Sequence, residues 1–215
     1  MKRNIELDLF RIYLAISILL FHRIDFTRNL DSSLYPFFNG RIAVEGFFLI
    51  IGYFFARDII EKEKSIEQII KGKLKSLLPI LLFSLSIHFA IEAASLVMNG
   101  ESLNKLFLSL SDFLLLNAFN LPMMTLNITL WFISAMIVGL LATYPLIKHF
   151  GQRFCTIYSF AIALFIYGLT FNYTQTITYD SVMTIYISFR AIAGILMGVG
   201  CYGISIYIKK ISLTQ

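Results

Sequence analysis

The chain has 215 residues, of which 58% are hydrophobic and 14% charged, where an ordinary soluble domain is about half apolar and a quarter charged. With a mean hydropathy of +0.76, this balance makes lipid the expected solvent and leaves no stretch for a large soluble domain. The net charge of +5 is read first as a topology signal, because basic residues flank membrane spans on the inner side.

Apolar runs recur along the chain at close to the ~20 residues a helix needs to cross the hydrocarbon core. The first, near 8–26, follows Lys2 and Arg3, but Arg11 lies inside it and no small-residue cleavage site follows Phe21 to Phe26. It reads as a retained span rather than a secretory signal. Further spans are predicted near 42–57, 77–98, 129–147, 154–172 and 183–207. The segment Arg57–Lys75 is charged and helix-favouring and reads as a cytoplasmic helical linker before Pro79. The stretch 103–121 is apolar but carries Lys105, Asp112, Asn117 and Asn120, with Pro122 next to it. It reads as a short interfacial or re-entrant helix. The expected fold is therefore all-α, a polytopic integral membrane helix bundle of about six transmembrane helices plus that short one, in a single domain over 1–215.

Charge placement supports six crossings with both termini cytoplasmic. The inner segments then collect Lys2, Arg3, Arg57, Lys62, Lys64, Lys71, Lys73, Lys75, Lys148, Arg153, Lys209 and Lys210. The outer loops keep Arg28, Arg41 and Lys105. Cys155 and Cys201 lie far apart in apolar segments, without disulfide or metal-site spacing, and read as packing residues. Gly194, Gly198 and Gly200 give the last span a small-residue face suited to close helix packing. The basic residues fall at membrane edges rather than on one aromatic-lined face, which argues against a nucleic-acid partner.

Ionisable side chains inside a span cost a few kcal/mol and need a partner, a hydrated cavity or a function. Arg11 and His22, eleven positions apart on the first span, share one helix face about 16 Å apart. Asp8 is within ion-pair reach of Arg11. Glu45 opens the second span, at a depth expected to match His22, and is a candidate to orient its imidazole; an interfacial pair with Arg41 is the alternative. His88 and Glu92 form an i,i+4 pair on the third span, and Arg190 opens the last.

These residues carry a resemblance. Asp8-Leu9-Phe10-Arg11 followed by His22 resembles the Arg-x10-His signature of the acyltransferase-3 membrane proteins. The run from Gly40 to Tyr53 resembles that family's Gly-x-x-Gly-Val-Asp-x-Phe-Phe-x-x-Ser-Gly-Phe block. Trp131-Phe132-Ile133-Ser134-Ala135 resembles its Trp-Phe-x-Ser-Ala span, and Arg190 with Gly194 and Gly198 resembles its Arg-containing, Gly-rich helix. Ile51 and Ala43 depart from the pattern, and Lys73-Leu74-Lys75-Ser76 stands where the family has a cytoplasmic Arg-x-x-Arg. The family usually has about ten spans, so six spans read as a short or truncated member, or one that works with a partner subunit or as a homo-oligomer.

The resemblance implies a cell-membrane acyltransferase that moves an acyl group, acetyl above all, from cytoplasmic acetyl-CoA to a hydroxyl of an extracytoplasmic glycan or lipid-linked sugar. It implies His22 as base or acyl carrier, Arg11 on the donor, Glu45 behind His22, and Lys73, Lys75 and Arg190 as donor-binding residues. No tightly bound cofactor and no metal are expected. A transporter or flippase subunit, and a non-catalytic remnant, remain the rival readings.

Overall fold

The computed structural model describes residues 5–27, 40–104, 106–107, 113, 130–174 and 184–212, without the side chains of 22–27, 173–174, 184–185 and 212. Among these residues every regular element is helical: α1 (Ile5–Thr27), α2 (Gly40–Ile60), α3 (Ile66–Met98), α4 (Trp131–Arg153), a π-turn (Phe154–Tyr158), α5 (Ser159–Thr174) and α6 (Thr184–Ser212). Three stretches among them are long and apolar enough to cross a membrane, Ile66–Met98, Trp131–Asn172 and Tyr186–Ile211.

Helix α6 is the hub. It packs most extensively on α2, then on α4 and α5, and 56% of its apolar window is buried against 11% for α3. The α2–α6 crossing is backbone against backbone. A Cβ added at Gly52 would overlap the Ile195 carbonyl, and one added at Gly198 would overlap the Leu49 carbonyl. The small-residue face expected on the last span is thus used for close packing. Around it Phe48, Phe55, Leu140, Ile195, Leu196 and Val199 form the fully buried core.

Contacts set the helix directions. Glu45 meets Arg190 and Tyr53 meets Ser205 and Tyr202, so α2 and α6 run the same way. Phe48 meets Trp131 and Phe55 meets Tyr144, so α4 runs with them. α1 runs against α2, with Phe21 on Gly40 and Leu14 on Gly46. α5 runs against α6, with Phe160 on Gly200 and Tyr167 beside Glu45, which pairs with Arg190. The reversal between α4 and α5 occurs at Gly151, whose φ of 59° is open to glycine at little cost. Cys155, in the π-turn after it, is a buried free thiol, as the packing role required.

One expectation is corrected. The charged segment after Arg57 is not a separate linker helix: α2 continues to Ile60, a short connection follows, and α3 runs unbroken for 33 residues through Pro79. The new start is fixed by a capping box, in which the Ser65 hydroxyl accepts from the Gln68 amide and the Gln68 side chain accepts from the Ser65 amide. Asp58 clamps the connection by accepting hydrogen bonds from Lys62 and Lys64. The stretch 103–121 lies largely outside the described residues; of it, Phe113 packs on Phe89 of α3.

The α2–α6 crossing gives a direct test. Gly198→Ala should lower the thermal stability of the detergent-solubilised protein by about 1–3 kcal/mol through overpacking. Gly72→Ala, where a Cβ meets nothing within 4 Å, should leave it unchanged or slightly raised. Equal melting of the two variants would contradict the crossing.

Candidate functional site

Because α2, α4 and α6 run in one sense, their C-termini gather Arg57, Lys148, Arg153, Lys209 and Lys210 at the end where α1 and α3 begin. Two polar clusters follow, one at this cationic end and one in the opposite half.

At the cationic end Arg11 donates to Asp8 at 3.1 Å. The Arg11 guanidinium lies 5.1 Å from the Phe54 ring centroid, and that of Arg57 lies 4.5 Å from the same ring. Asp58 carries Lys62 and Lys64, with Arg57 at 3.8 Å. Lys73, half-buried on the first turns of α3, feels the charges of Asp58, Arg11 and Lys64, whereas Lys75 is exposed. Burial works to raise the Asp58 carboxyl, but the hydrogen bonds and charges of Lys62 and Lys64 outweigh it and hold the pKa below the ordinary value. With a depressed folded pKa, the clamp contributes stability above the usual aspartate range and loses it as pH falls through the lowered value.

In the opposite half, Glu45 bridges three helices. One carboxylate oxygen pairs with the Arg190 Nε, and the other accepts a 2.5 Å hydrogen bond from the Tyr167 hydroxyl. Arg190, 5% exposed, also donates from Nη2 to the Arg41 carbonyl at 2.7 Å and stands over the Trp131 ring, 5.5 Å from its centroid. The fit continues below: a Cβ at Gly194 would lie 2.7 Å from Phe48 Cβ and 3.1 Å from the Glu45 carboxylate. A buried charge pair of this kind is stable only when its remaining polar atoms are also satisfied, and Tyr167 and the Arg41 carbonyl do that.

The expected site residues are thus divided between the two clusters. Arg11 and Lys73 come together at the cationic end, and Glu45 and Arg190 come together in the other half. Arg190, expected beside the lysines, is held by Glu45 instead. Glu45 does not sit level with His22. Gly46 lies against Leu14 and Gly40 against Phe21, which puts Glu45 roughly seven residues, or ~10 Å of rise, below the His22 position on α1. Its carboxylate is directed at α5 and α6. The backbone of His22 belongs to α1, while its side chain lies outside the described residues. His88 faces outward and bonds the Ser84 carbonyl of its own helix, 3.0 Å from Nδ1.

A profile of the acyltransferase-3 family, described as an acyltransferase domain, matches residues 4–213. The chain belongs to the acyltransferase-3 family. No curated protein and no solved structure matches it. As a family member with three apolar helices of spanning length, the protein is a membrane acyltransferase. Tyr167 is the residue of this acyltransferase-3 chain that the sequence reading missed. It sits in the apolar run Phe165-Ile166-Tyr167-Gly168-Leu169, and the one signal was that a buried tyrosine hydroxyl needs a partner.

The Glu45–Arg190 pair predicts a non-additive stability cycle. Glu45→Gln and Arg190→Gln should each cost about 3 kcal/mol by leaving a buried charge unpaired. The double variant should lose less than the sum by about 1–2 kcal/mol in thermal unfolding. Additive losses would show that the two side chains do not depend on each other.

Proposed function

We propose that the protein transfers an acetyl group from cytoplasmic acetyl-CoA to a hydroxyl of an extracytoplasmic glycan or lipid-linked sugar, across six crossings of the cell membrane with both termini inside. The observation that carries this reading is the course of α1. The helix starts in the cationic cluster, which holds Arg11, and carries the His22 position into the opposite half before it ends at Thr27. The positive-inside bias assigns the cationic end to the cytoplasm, which is where a polyanionic donor waits.

Arg11, Lys73 and Lys75 attract the donor's phosphates. About 16 Å of helix separates Arg11 from His22, a distance for the donor's extended pantetheine arm to cover, so the thioester reaches the far half while the phosphates stay at the inner face. The His22 imidazole takes the proton of the acceptor hydroxyl. The hydroxyl oxygen forms a bond to the thioester carbon, the carbon–sulfur bond breaks, and the proton held by His22 passes to the departing thiolate. The products are the ester and free coenzyme A. Glu45, fixed by Arg190 and Tyr167, supplies a charge-balanced anchor beneath the reacting atoms and takes no proton.

Membranes containing the protein, given radiolabelled acetyl-CoA, should place ester-linked label on surface glycan. His22→Ala should reduce this at least 100-fold at unchanged membrane abundance, the usual weight of a general base. Arg11→Ala should act chiefly by raising the donor KM. Unchanged labelling in both variants would reject the assigned residues, and absent labelling in every form would favour a transporter subunit or a non-catalytic remnant.

A further inference from the structure

The cationic end holds more positive charge than it neutralises. Asp8 serves Arg11, and Asp58 serves Arg57, Lys62 and Lys64 together; the further carboxylates of this end, Glu6, Glu61, Glu63 and Glu67, are outnumbered once Lys148, Arg153, Lys209 and Lys210 are added. The Arg57 Nε is buried without a hydrogen-bond partner among the described residues, a situation that favours an incoming acceptor. Phe54, on which both Arg11 and Arg57 rest, is also one wall of a groove of about 360 Å³ between α1 and α2. Phe10 and Tyr53 complete its aromatic lining, Leu49 and Ile50 are apolar, and Glu6 is its carboxylate.

We propose that this groove receives the adenine base of the acyl donor, and that Arg57, together with Arg11, grips the adjoining phosphates. The inference rests on the acyl-CoA reading above. A purine is flat, has apolar faces and carries an exocyclic amine; the aromatic walls match the first two properties and the Glu6 carboxylate accepts from the third. Guanidiniums suit phosphate through paired, directional N–H groups. An alkyl chain would have use for neither the carboxylate nor the two arginines. Arg57 thereby joins the donor-binding residues and Glu6 becomes the determinant of the base.

The test is calorimetric binding to the full chain in nanodiscs of zwitterionic lipid, with coenzyme A, its hypoxanthine analogue and phosphopantetheine as probes. The wild type should bind coenzyme A about tenfold more tightly than the hypoxanthine form, as expected for one hydrogen bond to a charged acceptor. Glu6→Gln should bring the two near parity, because an amide can donate to the hypoxanthine oxygen as well as accept from the adenine amine. Arg57→Gln should weaken coenzyme A about tenfold or more while leaving phosphopantetheine less affected, at an unchanged melting temperature. Equal affinity of the wild type for both bases, or unaltered binding by Arg57→Gln, would overturn the proposal. So would loss of coenzyme A binding in nanodiscs of anionic lipid, which would assign the cluster to a lipid headgroup. Base-selective binding without transfer of labelled acetyl would sink the acyl-transfer reading and keep this site; transfer with unaltered affinities in both variants would do the reverse.

Discussion

The backbone contact between α2 and α6 is the constraint on which the rest depends. Two helices can touch carbonyl to Cα only where side chains vanish, and Gly52 and Gly198 supply that on both partners. Once the axes are this close, the residues above the crossing have no freedom to miss each other. Arg190 stands opposite Glu45, and Tyr167 reaches the second carboxylate oxygen from α5. Below the crossing, Tyr53 meets Tyr202 and Ser205, and the Tyr202 hydroxyl donates to Glu61 at 3.3 Å. One apolar contact thus registers polar groups on both sides of it.

That register divides the molecule's charge. In the half containing Glu45, its carboxylate and the Arg190 guanidinium are paired across helices. The other end is unbalanced in favour of cations, and one arginine nitrogen there is buried and unsatisfied. A buried polar group in lipid needs a partner, and the excess of cations is the feature of this end that the proposed anionic donor would meet. The division also separates two roles the residues could play: anchoring helices where the charges are neutral together, and attracting a ligand where they are not.

Much of the helical layout was legible in the sequence. The runs at 8–26, 42–57, 129–147, 154–172 and 183–207 each overlap a helix of the structure, because apolar length alone marks them. The run at 77–98 was found too, but its true start at Ile66 was hidden. Pro79 reads as a boundary by its chemistry, yet within a long helix it removes a single backbone bond, and the capping box at Ser65 sets the start instead. The candidate site was legible as residue types and not as partnerships. Arg190 and Glu45 lie 145 positions apart, and nothing local to either indicates the other. Depth was misjudged for the same reason: the register of α1 on α2 is decided by Leu14 against Gly46, a detail of packing that hydropathy does not carry.

The central claim is that α1 joins a donor-binding cationic end to a reactive far half, and photolabelling tests it most directly. An acetyl-CoA analogue with a diazirine in its acyl group, irradiated with the membrane-embedded protein, should label peptides from the C-terminal half of α1 and the start of α2, and excess coenzyme A should abolish the label. Label that falls instead on the charged segment between α2 and α3, or on the exposed face of α3, or that coenzyme A does not displace, would contradict the account.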